Sequence, residues 1–122
     1  MIPKFRAWHK ELEIMMSVQT IWLDEGEISE LELDNSFINE SIPAYRDEVA
    51  LMQSTGLLDK NGQEIWEGDV VRMSSGELLQ VKLHHGMFIP VCFYISSVFE
   101  REGNVFEHPE LLEDPDFRDD EQ

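Results

Sequence analysis

The chain has 122 residues, 42% of them hydrophobic and 29% charged, with 26 acidic side chains against 9 basic ones and a formal net charge of −17. That is one domain's worth of protein, or one small domain with an appendage; it has enough apolar residues for a core, and collagen, mucin and coiled-coil compositions are excluded. The acidic excess repels phosphates, so wholesale nucleic-acid binding is disfavoured and only a local basic patch is left open.

Turn residues recur at short intervals, at Asp24-Glu25-Gly26, Asn61-Gly62, Glu67-Gly68-Asp69, Ser75-Gly76, His85-Gly86 and Gly103-Asn104. Such spacing leaves room for strands and little for long helices. The first segment interleaves charge with apolar residues, Lys4-Phe5-Arg6-Ala7-Trp8-His9-Lys10, and shows no secretory signal. Leu12, Ile14, Met16 and Val18 then alternate with Glu11, Glu13 and Ser17, Met15 being the exception, and Leu31 and Leu33 alternate with Glu30, Glu32 and Asp34. Period two predicts strands with one wet face, whose register is fixed because a one-residue slip would bury carboxylates. Residues 1–34 are therefore expected to form an N-terminal antiparallel β unit.

Residues 35–48 mix turn formers with isolated apolar side chains around Pro43 and read as a linker. At Leu57 to Trp66, Asn61-Gly62 sits between apolar flanks and predicts a type I′ hairpin. Gly68 then allows a tight corner beside Asp69 before Val70-Val71 restarts a strand, and Leu79, Val81 and Leu83 alternate in another. About five short strands in some fifty residues suit a small bent barrel, so residues 49–112 are assigned to an SH3-like barrel ending in a short helix that begins at Pro109. Residues 113–122, dense in carboxylates, read as a disordered acidic tail. The expected fold class is thus mainly β, a β-rich α+β chain, with Trp8, Trp22, Trp66, Phe88, Phe93 and Phe99 furnishing buried area or a subunit contact.

Three stretches together carry a resemblance. Lys4-Phe5-Arg6-Ala7-Trp8, the run from Leu51 to Val71 with Met52-Gln53, Thr55-Gly56-Leu57, Asp59-Lys60-Asn61-Gly62 and Glu67-Gly68-Asp69, and Gly103 to Leu112 are similar in order and spacing to the YopX-like family of phage and prophage proteins. The sequence departs from that pattern at His9, where an Asp is usual, at Trp66, more often Tyr, and at His108, which replaces an Asn. The resemblance implies a phage or prophage origin, a mainly β protein and homo-oligomers. It brings no catalytic residue with it.

Few residues suggest chemistry. His9, His84, His85 and His108 lack zinc-like spacing, Glu107-His108-Pro109-Glu110 is the densest group, and adjacent His84 and His85 point to opposite faces of a strand. Turn histidines exposed to solvent are the expectation, and neither metal nor cofactor is expected. No nucleophile elbow, HExxH, Walker A or GxGxxG is present. Glu67 and Asp69 beside Trp66 form the best carboxylate pair, and their expected use is to accept backbone N–H bonds at a glycine corner. Cys92, the single cysteine, lies in an apolar run and is expected to act as a small hydrophobe.

What is left is recognition. Lys4, Arg6 and Trp8 alternate onto one face of the first strand and Lys10 follows; Lys4, Arg6 and Lys10 are three of the chain's nine basic residues, and the strip holds its densest positive charge. The run Asp24 to Asp34 holds six carboxylates, Glu27, Glu30 and Glu32 among them, and no basic residue, and complements it within the chain or in a neighbouring subunit. The sequence therefore reads as a non-catalytic phage accessory protein acting by macromolecular binding as a homo-oligomer in the bacterial host cytoplasm. A host or phage protein is the expected partner and a membrane is not. A nucleic-acid-binding SH3-like barrel is the alternative, and an acidic DNA mimic inhibiting a host protein is the second.

Overall fold

The computed structural model describes residues 4–38 and 40–119. It is mainly β, as expected, with eleven strands among the described residues and only short 3₁₀ turns besides. The chain divides into two compact units, Met1–Gln53 and Ser54–Gln122. The division falls inside one strand, not at the expected linker.

In the first unit, β1 (Phe5–His9), β2 (Ile14–Asp24), β3 (Glu27–Asp34), β4 (Ile42–Tyr45) and the first half of β5 (Val49–Leu58) lie in the order β4-β3-β2-β1-β5, antiparallel throughout. The stretch read as a linker thus contains β4, which pairs Ala44 with Leu31 and Ile42 with Leu33. Pro43 tolerates this because a proline without an N–H fits an edge strand. Ala7, Met16, Leu31, Leu33, Ala44 and Val49 make the core, with Ile14, Val18, Ile21 and Ile28 packed against them. Leu12 was expected on the same strand face, but it lies in the turn before β2 and is exposed.

Strand β2 explains how Val18 and Ile21 reach one core although they differ in parity. Its pairing with β3 runs Val18↔Leu33 and then Thr20↔Glu32, leaving Gln19 as an extra residue. A bulge of this kind reverses the alternation, so Ile21 turns inward opposite Leu31.

The second unit contains the rest of β5, β6 (Glu64–Trp66), β7 (Asp69–Met73), β8 (Leu78–Gln80), β9 (Lys82–His84), β10 (Met87–Ile89) and β11 (Phe99–Asn104). They pair as β5-β6, β11-β7-β8 and β9-β10. Ile65, Val71, Met73, Leu79, Val81, Val91 and Phe99 form their shared core. The single strand expected through Leu79, Val81 and Leu83 breaks at Val81, whose N–H donates to the Asp69 carbonyl while its own carbonyl accepts from Gly68.

The hairpin after β5 differs from expectation in its turn. Gly62 has positive φ (80°) and Asn61 does not, so the turn is not type I′. The Gly62 N–H donates to the Asp59 carbonyl, and the Asp59 side chain accepts from Asn61 and Gln63. An Asx turn built on Asp59 thus displaces the two-residue geometry that Asn-Gly favours on its own.

The expected short helix is present as a 3₁₀ turn, Pro109–Glu113, with proline in its first turn. Beyond it the tail is not disordered through Asp119. Leu78 donates its N–H to the Asp116 carbonyl and accepts from the Arg118 N–H, both at 2.9 Å. The tail's last positions, 120–122, lie outside the described residues, as do positions 1–3.

Candidate functional site

Strand alternation decides what the first unit presents. Opposite the core, Arg6 pairs with Ser17, Ser17 with Asp34, Trp8 with Met15, and Glu30 with both Trp22 and Tyr45. Directly paired residues share a sheet face. The face away from the core therefore carries Arg6 and Trp8 together with Glu30, Glu32 and Asp34, bringing the two expected patches onto one sheet. Glu27 stands exposed at the start of β3.

The basic strip is weaker than its sequence suggests. Lys4 precedes β1 and is exposed, Arg6 is buried at 8% exposure, and Trp8 is half-buried. Lys10 follows the strand and donates its Nζ to the Asp47 carbonyl at 3.1 Å. On β3 the carboxylates are partly engaged with neighbours: Glu32 accepts from the Ser41 hydroxyl at 2.9 Å, and Asp34 from the Asn35 N–H at 2.7 Å.

The second unit contributes two features. Its buried polar residues hold backbone. Asp59, 3% exposed, accepts N–H bonds from Asn61 and Gln63 at 2.9 Å and from Arg101 at 2.8 Å. Burial pushes its carboxyl up, but those three bonds, with the nearby Arg101 charge, outweigh burial and hold it below its ordinary value. Asp69, fully buried, accepts from the Trp66 N–H at 2.8 Å across the Gly68 corner, the expected use of that carboxylate. Asn104 accepts from Phe106 and Glu107 N–H groups and donates to the Glu107 carboxylate at 2.7 Å. The sequence places Asp59 in a turn motif and Asn104 at a turn, and does not mark either as buried. Their signal is an Asp or Asn immediately before a turn, which also describes many exposed residues.

The other feature is an exposed apolar run. Phe93 is 64%, Tyr94 51% and Ile95 72% exposed, between 3₁₀ turns at Val91–Phe93 and Ser96–Val98. Cys92, expected to act as a small hydrophobe within this apolar run, is exposed with them. The apolar composition of this run does not alternate because the segment is not a strand. Of the aromatics expected to furnish buried area or a subunit contact, Phe99 is buried and Phe88 packs against the core, whereas Trp22 and Phe93 face solvent.

The histidines also depart from expectation. His9 is buried and its Nδ1 accepts the Leu12 N–H at 3.1 Å; the Nδ1 of half-buried His108 accepts the Asn104 N–H at 3.2 Å. His84 and His85 do not point apart, because His85 takes positive φ (50°) in the turn and its ring meets that of His84 edge-on at 4.1 Å. Among the described residues no group of three or more His, Cys, Asp or Glu is placed to hold a metal, and no helix is long and apolar enough to cross a membrane.

Comparisons with known proteins agree with this geometry at the level of fold. A family model described as YopX protein matches residues 4–113. Among solved structures, the crystal structure of protein EF1440 from Enterococcus faecalis matches with a TM-score of 0.70 at 26% identity, over 92% of this chain and 99% of that chain. No curated protein matches the chain.

Proposed function

The chain belongs to the YopX family, and from that premise we propose that it is a non-catalytic accessory protein of phage or prophage origin, working in the host cytoplasm as a homo-oligomer that binds another protein. The observation that carries this reading is the exposed run Phe93-Tyr94-Ile95. Contiguous large apolar side chains held in water are a liability for a lone copy and an anchor for an interface, where aromatic residues supply most of the affinity. The non-catalytic part is supported by Asp59, a buried carboxylate held by three backbone N–H groups.

The acidic face of β3 then suits a basic protein surface. Nucleic acid is a poorer fit, because Arg6 is buried and Lys10 is bonded to a backbone carbonyl. Mimicry of DNA needs two spaced rows of carboxylates, and Glu30, Glu32 and Asp34 supply one. Light scattering on the purified chain tests the core of the reading. The wild type is expected to be an oligomer that Phe93→Glu with Ile95→Glu converts to monomer without loss of secondary structure. A wild type that stays a single copy at its highest soluble concentration overturns it.

A further inference from the structure

Strand β8 lies at the edge of the three-stranded sheet β11-β7-β8, and edges of this kind accept further strands. Here the edge is occupied by the chain's own tail. Leu78 exchanges two backbone hydrogen bonds with Asp116 and Arg118, flanking Phe117, in the manner of a parallel pair. On either side of that pairing, Asp116 meets the Arg72 guanidinium at 3.1 Å and Asp119 meets Lys82 Nζ at 3.4 Å. Phe117, half-buried, lines a small cavity of about 20 Å³ with Gln80, Lys82, Ile89 and Pro90. Backbone pairing, an aromatic anchor and flanking charge pairs are together the elements of peptide recognition by strand addition.

We propose that the β8 edge is a binding site for an extended acidic peptide with an aromatic anchor, a segment of a partner protein patterned as Asp-Phe-x-Asp, and that residues 114–119 occupy it in cis as a competitor. The charge pattern selects such a partner: Arg72 and Lys82 bracket the anchor, and a basic peptide would place cations against them. A tethered tail competes at high effective concentration, so a partner must match its chemistry to displace it. This proposal uses different residues from the self-association above and stands without it.

The test is titration of a dye-labelled peptide of residues 113–119 with the full chain and with the full chain carrying Phe117→Ala. The peptide is expected to bind the Phe117→Ala chain about ten-fold more tightly than the wild type, whose own tail competes. Replacing phenylalanine by alanine in the peptide should abolish binding, and Lys82→Glu in the Phe117→Ala chain should weaken it about three-fold, as befits an exposed ion pair. Equal affinity for both chains, or indifference to the peptide's phenylalanine, overturns the proposal. If Phe117→Ala does not fold, hydrogen exchange on the wild type decides. The Leu78 and Arg118 amides should exchange by local opening, well before those of β7 and independently of denaturant. Exchange of these amides only with global unfolding means that the tail never leaves the edge, and sinks the idea.

Discussion

Asp59 ties two chain segments together with one carboxylate, since it accepts three N–H groups, those of the turn residues Asn61 and Gln63 and that of the distant strand residue Arg101. Asp59→Ala would leave those N–H groups without their acceptor inside the fold, at a cost of about 3 kcal/mol and on the order of 10 °C in melting temperature. Because the folded pKa lies below the ordinary 3.8, the charged form is the one the fold favours. Its stabilisation is present above the unfolded value and disappears as pH falls through the lower folded value. Urea midpoints of wild type and Asp59→Asn should therefore differ most near neutrality and converge below pH 3.8; a gap independent of pH would show that the carboxylate charge does not contribute. Gly103 makes a separate demand. A Cβ there would lie 2.5 Å from His108 Nδ1 and 3.0 Å from a Leu111 methyl carbon, so Gly103→Ala must displace the ring that accepts the Asn104 N–H. A loss of about 1–3 kcal/mol is expected by thermal melting.

At the scale of elements, the bulge at Gln19 yields a prediction that strict alternation reverses. Counting in twos from Ile14 places Thr20 inside and Ile21 outside, whereas the pairing places Ile21 against Leu31 in the core and leaves Thr20 exposed. Ile21→Lys should cost about 1.5–3 kcal/mol and Thr20→Lys almost nothing, by urea denaturation; the opposite order would remove the bulge. The same contrast shows what the sequence made legible. Strands β1 to β3 are readable because polar and apolar residues alternate through much of them, and β7 because Val70-Val71 restarts a strand after the Gly68 corner. Strand β4 was not, since four residues containing Pro43 give no period and depend on pairing with Leu31 and Leu33. The tail was misread because its composition is that of a solvated chain, while its order comes from Leu78, Arg72 and Lys82, more than thirty residues away in each case. Patterning reports local surroundings. Strand addition to an edge and a non-strand apolar run such as Phe93 to Ile95 are set by tertiary context, and the candidate surfaces lie where that context governs.

For the whole molecule the controlling quantity is a net charge of −17 over 122 residues. Exposed ion pairs such as Lys60–Glu100 and Arg72–Glu102 contribute about 0–1 kcal/mol each, too little to offset repulsion among so many unbalanced carboxylates. That repulsion acts between copies as well, and salt shortens its reach from about 30 Å at 0.01 M to about 3 Å at 1 M. Apolar contact through Phe93, Tyr94 and Ile95 is not screened in this way. Self-association should therefore strengthen as sodium chloride is raised, visible as a rising weight-average mass in light scattering at fixed protein concentration. A nucleic-acid complex has the opposite sign, because counterion release makes its affinity fall steeply with salt. Running both titrations on one preparation separates the two readings by direction alone. Mass that falls with salt, accompanied by oligonucleotide binding that is lost over the same range, would place the active surface at Lys4 and Lys10 and remove the apolar run from its proposed role.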